Sequence, residues 1–537
     1  MPAPTIRYPS GASTSIPHHP RPRTERAPMP YSDLDPSKFS LSKIVATIGP
    51  ATDVEETLRR VIENGASVLR VNFSHGSFEE HAERVRTVRR VSDALGKPVA
   101  ILGDLCGPKI RVGLVKAPGI QLTAGQDFSL RTDIDESKDG ETPELPCTYE
   151  PLAAEVHEGH RVLINDGAIR ALATGSDGST LRCRVVVGGL VTTGKGVNLP
   201  DSDISAPAIT EHDRACVRFG IDHKFDYFAL SFVRRGEEVR ELRSIIEGHC
   251  AEADCGGSLD ATRTDPTIPI ISKIEKPQAV ERIDEILEES DAIMVARGDL
   301  GVEMDLARVP IIQKILIQRA HDYGKPCIVA TQMLETMIEK PFPTRAESSD
   351  VAGAIFDGTD AVMLSGETAI GKYAPLAVQM MRRIALATEE RLRELPQSSR
   401  PSEVVRESRY RTAALAHGAW HMVQDVDAKL VCVWSQHGGS ARYLSRIGLR
   451  VPIIAFSSSE AAVRRMTLLY GVTPVLMRTL PEHRSEFAKM VDEFVLTRGM
   501  AEVGGMMVLL AGKPFGVPGV VNTVSIRRVG EFAATGG

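Results

Sequence analysis

From residue 43 to about residue 390 the chain repeats one pattern eight times: a short apolar run of strand length, followed in most cases by a stretch of helical period. The runs read KIVATI, SVLRV, VAILGD, DYFALSF, IPIISKI, DAIMVA, KPCIVAT and DAVMLS. Strands alternating with amphipathic helices are the mark of βα units around a parallel sheet, and eight such units predict an α/β fold closed as a (β/α)8 barrel. Helices are expected over 77–95, 279–289 and 345–356.

One long excursion separates the third run from the fourth. Residues 114–209 hold short alternating segments (RVLIND, AIRALAT, LRCRVVV) with Asp-Gly and Gly-Gly turns and no helical period. They predict a small β-domain inserted into a barrel loop, where it can act as a lid. After residue 391 a Pro- and Ser-containing stretch reads as linker. Then KLVCVW, VPIIAF, VTPVL and GMMVLL predict a separate C-terminal α/β domain. The expected units are the barrel at 41–113 and 210–390, the lid at 114–209, and the C-terminal domain at 391–537. Residues 1–40, rich in Pro, Arg, Ser and His and without periodicity, read as a disordered extension. Their scarcity of acids also fits an organellar transit peptide, which their proline density opposes. The 250–266 stretch reads as a loop.

A net charge of −6 gives no basic field for nucleic acid or a membrane surface. No apolar stretch nears the roughly 18 residues a bilayer span needs. The 8 cysteines show no CxxC pair and several lie within apolar runs, so reduced thiols and a cytoplasmic location are expected.

Active sites of such barrels lie at the carboxyl ends of the strands. The fifth run ends in Lys273-Ile274-Glu275, whose period of two sends Lys273 and Glu275 to the barrel mouth together. The sixth ends in Arg297-Gly298-Asp299, the seventh in Thr331-Gln332, and the eighth in Ser365-Gly366-Glu367. Glu275 and Asp299 on neighbouring strands suit Mg²⁺, a hard ion that keeps positions open for water or phosphate. A rim salt-bridge network is the competing account of the same charges. The small residues around Gly298 let backbone N–H groups approach an anion, although an isolated turn of this kind is commonly just a turn. On the second strand Arg70, Asn72 and Ser74 alternate to one side, with Asp104 ending the third strand nearby; the alternative is that these polar side chains simply face solvent. Lys195, in the Gly-Lys-Gly turn of the inserted domain, can reach a phosphate if the lid closes.

KIVATIGPAT, VLRVNFSHGS, GPKIRVG, GKGVNLP, ISKIEK, IMVARGDLGVE, ATQMLETMI, PTRAESSDVA and DAVMLSGETA occur in the order found in pyruvate kinases, and the chain resembles that family from residue 41 to 537. The resemblance implies a Mg²⁺-dependent transfer of the phosphoryl group of phosphoenolpyruvate to ADP, giving pyruvate and ATP, with Mn²⁺ as an alternative ion. It implies that Lys273 stabilises the transition state, Glu275 and Asp299 bind the metal, and Gly298 helps seat the substrate carboxylate. Thr331 then neighbours the enolate and Arg70 grips the phosphate, while Pro50, His75, Arg111 and Lys195 belong to the nucleotide side. It also implies a homotetramer.

Members of the family that need K⁺ typically carry Thr and Lys where this chain has Leu105 and Cys106, and Glu where it has Lys109. The Lys109 ammonium is therefore expected to stand in for K⁺ beside Asn72, Ser74, Asp104 and Leu105, so that K⁺ is not required. In the C-terminal domain the resemblance implies a sugar-phosphate or nucleotide effector at the loop Ser435-Gln436-His437-Gly438-Gly439-Ser440. Gly439 replaces a residue that is often basic, which leaves both the effector's identity and its loss open. Two other functions compete: a Mg²⁺-dependent pyruvate-enolate aldolase, opposed by Lys273, Arg70 and the inserted domain, and a catalytically inactive metabolite sensor, opposed by the intact Lys273, Glu275, Asp299 and Thr331.

Overall fold

The computed structural model describes residues 40–250, 267–396 and 411–531. The expected N-terminal extension up to residue 39, the insertion at 251–266 and the linker segment 397–410 lie outside them.

Eight parallel strands form a closed barrel: β1 (Lys43–Thr47), β2 (Ala66–Asn72), β3 (Ala100–Asp104), β4 (Tyr227–Leu230), β5 (Ile270–Ile274), β6 (Ala292–Ala296), β7 (Cys327–Ala330) and β8 (Ala361–Leu364). Their order around the barrel follows the chain, with β1 closing against β8 through Lys43 opposite Ala361. The strands are buried on both faces, which is why they read as unbroken apolar runs. Alternate residues split between two cores. Ile44, Ala46, Leu69 and Ile101 pack toward the helices, while Val45, Val68, Leu102, Ala229 and Met294 fill the interior.

The interior core does not stop at the barrel floor. It is continuous with Trp420, Val431, Val433, Leu468 and Leu469 of the C-terminal domain. That domain is a five-stranded sheet in the order β11-β10-β9-β12-β13, with β9 (Leu430–Trp434), β10 (Ile453–Ser457), β11 (Val472–Leu476), β12 (Met506–Gly512) and an antiparallel edge strand β13 (Val521–Arg528). At the floor, Asp226, Asp291 and Asp360 precede β4, β6 and β8. Each accepts a backbone N–H from the preceding strand, from Ile101 at 2.8 Å, Ile270 at 2.9 Å and Cys327 at 2.8 Å respectively. Arg464 and Arg446 of the C-terminal domain pair with Asp226 and Asp360, which fastens the two bodies.

The segment between β3 and β4 is a β-domain with its own core around Phe128, Leu130, Val162, Ile164 and Leu181. A mixed six-stranded sheet carries most of it, and a single helical turn at Leu152–Glu155 escaped the sequence reading because four residues show no period. Helix Phe78–Leu95 starts at Ser77, whose Oγ accepts from Glu80 N while Glu80 returns the bond. Helix Arg345–Phe356 falls where the period placed it. The helix expected over 279–289 is two pieces, Pro277–Glu281 and Ile283–Glu289, because Arg282 adopts φ −109° and ψ 26° between them. Among the described residues six cysteines are free thiols, but Cys250 is disulfide-bonded, which corrects the expectation of reduced thiols throughout. A scan for CxxC spacing cannot see a pairing with any other spacing.

Candidate active site

At the carboxyl end of the barrel the inward positions turn from apolar to charged. Thr47 pairs in register with Arg70, and Asn72 and Ala229 both pair with Asp104, so adjacent strands deliver these residues at neighbouring levels. Arg70 Nε donates to Asp104 Oδ2 at 2.6 Å and its Nη1 to Thr47 Oγ1 at 3.0 Å. Lys273 Nζ donates to Ser231 Oγ at 2.8 Å and lies 3.3 Å from Asp104 Oδ1 and 2.9 Å from Glu275 Oε1. Burial works against charge on Lys273, yet Asp104, Glu275 and Asp299 hold its pKa above the usual lysine value. Burial likewise opposes the Asp104 carboxylate, and Lys273 and Arg70 keep it below the usual range. Arg70 and Asp104 are 9% and 1% exposed, so they are not merely polar side chains facing solvent.

Glu275 Oε2 accepts the Phe232 N–H at 2.7 Å, while its Oε1 is buried and takes no aligned hydrogen bond even with the ammonium alongside. Burial pushes the Glu275 carboxyl up; Lys273 opposes that and Asp299 adds to it. A buried carboxylate oxygen without a hydrogen bond, under the field of a second carboxylate, fits a divalent cation. Among the described residues no cluster of three His, Cys, Asp or Glu side chains is placed to hold a metal. Two carboxylates with the remaining positions left to water and phosphate is a Mg²⁺-like donor set.

Arg297, Gly298 and Asp299 are the first residues of a helix, Arg297–Glu303, rather than a turn before one. Thr331 and Gln332 follow β7 with φ of 68° and 53°, the left-handed region that costs a threonine about 1–3 kcal/mol. Arg297 Nη2 holds both carbonyls, at 2.9 and 3.2 Å, and its Nη1 pairs with Asp350 at 2.6 Å. Thr331 Oγ1 accepts the Gly298 N–H at 2.7 Å and donates to Ala330 O at 2.6 Å. The two residues expected at the substrate carboxylate and enolate thus bond each other directly.

The segment leading into the lid pairs with the lid's Gly-Lys-Gly turn: Arg111 Nη1 donates to Gly194 O at 2.7 Å, and Val112 N donates to Lys195 O at 2.8 Å. Pro50 and His75 are exposed on the loops after β1 and β2. At the expected cation pocket, Asn72 Oδ1 accepts the Ser74 N–H at 3.1 Å and Lys109 Nζ donates to Ser74 Oγ at 3.3 Å. Leu105 O accepts the Ser231 hydroxyl at 2.6 Å. In the C-terminal loop Ser435 Oγ caps Ala441 N at 3.1 Å, and Gln436 bonds Ser458 at 2.8 Å.

The sequence reading missed Thr47, Ser231, Phe232 and Arg234. Ser231 was within reach, since it continues the inward alternation of Tyr227 and Ala229. Phe232 acts through a backbone N–H in a left-handed conformation, φ 55°, which residue type does not signal. Arg234 grips the chain returning from the lid, donating through Nη2 to Ala206 O at 2.7 Å and through Nη1 to Ile204 O.

A (β/α)8 barrel whose mouth gathers two cations and three carboxylates beside an inserted β-domain presents the charged groups that a phosphotransferase uses. Pyruvate kinase, barrel domain, matches residues 39–378, and pyruvate kinase, alpha/beta domain, matches residues 413–527. The chain is 37% identical over 492 residues to the pyruvate kinase of Thermotoga maritima, covering 91% of this chain and 99% of that one. It is 36% identical over 489 residues to that of Mycobacterium tuberculosis, covering 91% and 98%. The crystal structure of a pyruvate kinase from Cryptosporidium parvum superposes with a TM-score of 0.81 at 32% identity, covering 93% of this chain and 97% of that one. The chain belongs to the pyruvate kinase family, and the aldolase alternative falls.

Proposed function

We propose that Lys273, Arg70 and Thr331 carry the transfer of the phosphoenolpyruvate phosphoryl group to ADP, with Glu275 and Asp299 holding Mg²⁺. The observation that supports this most is Lys273, a side chain with 11% exposure kept charged at the barrel mouth, 2.9 Å from a buried Glu275 oxygen that takes no aligned hydrogen bond. Arg70 offers its fork to the phosphoryl oxygens as they separate from the enolate, and Lys273 offsets negative charge on the bridging oxygen. Gly298 and Thr331 exchange their mutual hydrogen bond for the substrate carboxylate. Pro50, His75, Arg111 and Lys195 bind ADP, Lys195 from the lid and Arg111 from the segment that leads into it. Mg²⁺, or Mn²⁺ in its place, supplies charge neutralisation to the phosphoryl oxygens.

Lys109 replaces K⁺ beside Asn72, Ser74, Asp104 and Leu105; its bond to Ser74 supports this. The domain limits 41–113 with 210–390, 114–209 and 391–537, a cytoplasmic location and a homotetramer belong to the same proposal. A sugar phosphate or nucleotide at the 435–440 loop has to compete for the Ser435 hydroxyl, which already caps Ala441.

The test is ATP formation from phosphoenolpyruvate and ADP with Mg²⁺, comparing wild type with Lys273→Met and repeating without K⁺. Turnover by wild type and its loss in the variant support the assignment. A folded wild type that makes no ATP with or without K⁺ overturns it.

A further inference from the structure

One carboxylate joins the lid to both elements that carry the proposed metal ligands. Glu303 closes the helix that begins Arg297-Gly298-Asp299. Its Oε1 accepts from Asn198 Nδ2 at 2.7 Å and from Lys276 Nζ at 2.6 Å. Asn198 ends the lid strand Val197–Asn198, and Lys276 directly follows Glu275. The Glu303 side chain is 1% exposed and that of Lys276 14%, so water screens the pair little. Glu303 Oε2 is buried and takes no hydrogen bond, so the side chain is anchored through one oxygen alone. The Lys276 ammonium also lies 5.8 Å from the ring of Phe232, whose N–H holds Glu275. The lid leans on the same helix a second time: a Cβ at Gly167 would sit 3.5 Å from Val302 Cγ1.

A buried ion pair is costly compared with an apolar filling, and fold stability alone does not call for one here. What these contacts add is a rigid path from the lid to both metal-bearing elements. We infer that Glu303 is a positioning residue which, through Asn198 and Lys276, couples the seating of the lid to the placement of Asp299 and Glu275, so that lid and divalent-cation site form one cooperative unit. The inference rests on the assignment of Glu275 and Asp299 to the metal. Because coupling is reciprocal, the metal must tighten the lid as much as the seated lid tightens the metal site.

The experiment is a Mn²⁺ titration of the free enzyme, followed by the electron-paramagnetic-resonance signal of the unbound ion. It covers wild type, Asn198→Ala, Lys276→Met, Glu303→Gln, Glu275→Gln and the double variant Asn198→Ala/Glu303→Gln, with hydrogen exchange of the lid strands recorded alongside. Asn198→Ala is expected to weaken Mn²⁺ binding about tenfold, the loss typical of removing a group that orients a ligand. The double variant should bind no more weakly than Glu303→Gln alone, and Mn²⁺ should slow lid exchange in wild type but not in the variants. Wild-type Mn²⁺ affinity in Asn198→Ala, or losses that multiply in the double variant, overturn the coupling. If Glu303→Gln fails to fold, Asn198→Ala and Lys276→Met decide the question by the same criteria. Wild-type Mn²⁺ affinity in Glu275→Gln overturns the metal assignment and the coupling together, whereas a loss confined to Glu275→Gln overturns the coupling alone.

Discussion

Lys273 Nζ stands 3.3 Å from Asp104 Oδ1, and the opposite oxygen of that buried carboxylate holds Arg70. One anion therefore bridges the two cations at the barrel mouth and helps keep Lys273 charged. Lys273→Met should lower kcat by about 10³-fold, the scale set by losing a positioned charge-stabilising donor, and leave the fold intact. Asp104→Asn leaves the two cations without their shared anion and should cost about 3–5 kcal/mol in urea unfolding. A Lys273→Met enzyme with near-wild-type kcat would remove the lysine from the chemistry.

Lys109 reaches Ser74 Oγ at 3.3 Å, and the Leu105 carbonyl is already taken by Ser231. With an ammonium at hand, wild type should reach full activity in buffers free of both K⁺ and Na⁺. Lys109→Glu should lower that activity and restore it on adding K⁺. A large stimulation of wild type by K⁺ would refute the substitution of one cation for the other.

His321 lies beside the joint between barrel and C-terminal domain. Burial, then the Arg446 guanidinium, pull its pKa from 6.5 down to about 4. The folded protein thus binds this proton less readily than the unfolded chain. The stability it contributes is present above pH 6.5 and is lost as pH falls toward 4, by up to about 3 kcal/mol. Urea midpoints measured across that window should fall more steeply for wild type than for His321→Gln. Parallel pH profiles would show that the imidazole is not the group responsible.

How far the sequence carried the fold depended on how local each signal is. The barrel strands announced themselves because a strand buried on both faces must be apolar throughout, and KIVATI or DAIMVA can hardly be anything else. Lys273, Glu275 and Asp299 could be singled out because they stand where such runs end. The break at Arg282 was not legible, since apolar spacing continues across it while the backbone does not. Phe232 and Arg234 were invisible for a related reason: one works through its N–H in a left-handed conformation, the other through carbonyls about 30 residues away, and neither leaves a periodic trace.

Arg234 supplies the remaining prediction. Its Nη2 donates to Ala206 O at 2.7 Å, its Nη1 to Ile204 O, and its Nε to Glu238 Oε1 at 2.8 Å, so a side chain with 17% exposure pins the segment returning from the lid. Ser231 and Phe232, on the same loop, hold Lys273 and Glu275. Movement of the lid's return segment is thereby felt three residues from Ser231, the hydroxyl partner of Lys273. A lysine at this position keeps the charge but lacks the planar fork that meets two carbonyls and a carboxylate at once. Arg234→Lys should lose about 1–3 kcal/mol of local stability, read as faster hydrogen exchange over residues 203–208. It should also raise KM for ADP several-fold with a smaller change in kcat, because Lys195 rides on the lid and Arg111 is bonded to it, whereas Lys273 is neither. Wild-type exchange in that segment would show that the hinge is held by its backbone and apolar contacts instead of by the guanidinium.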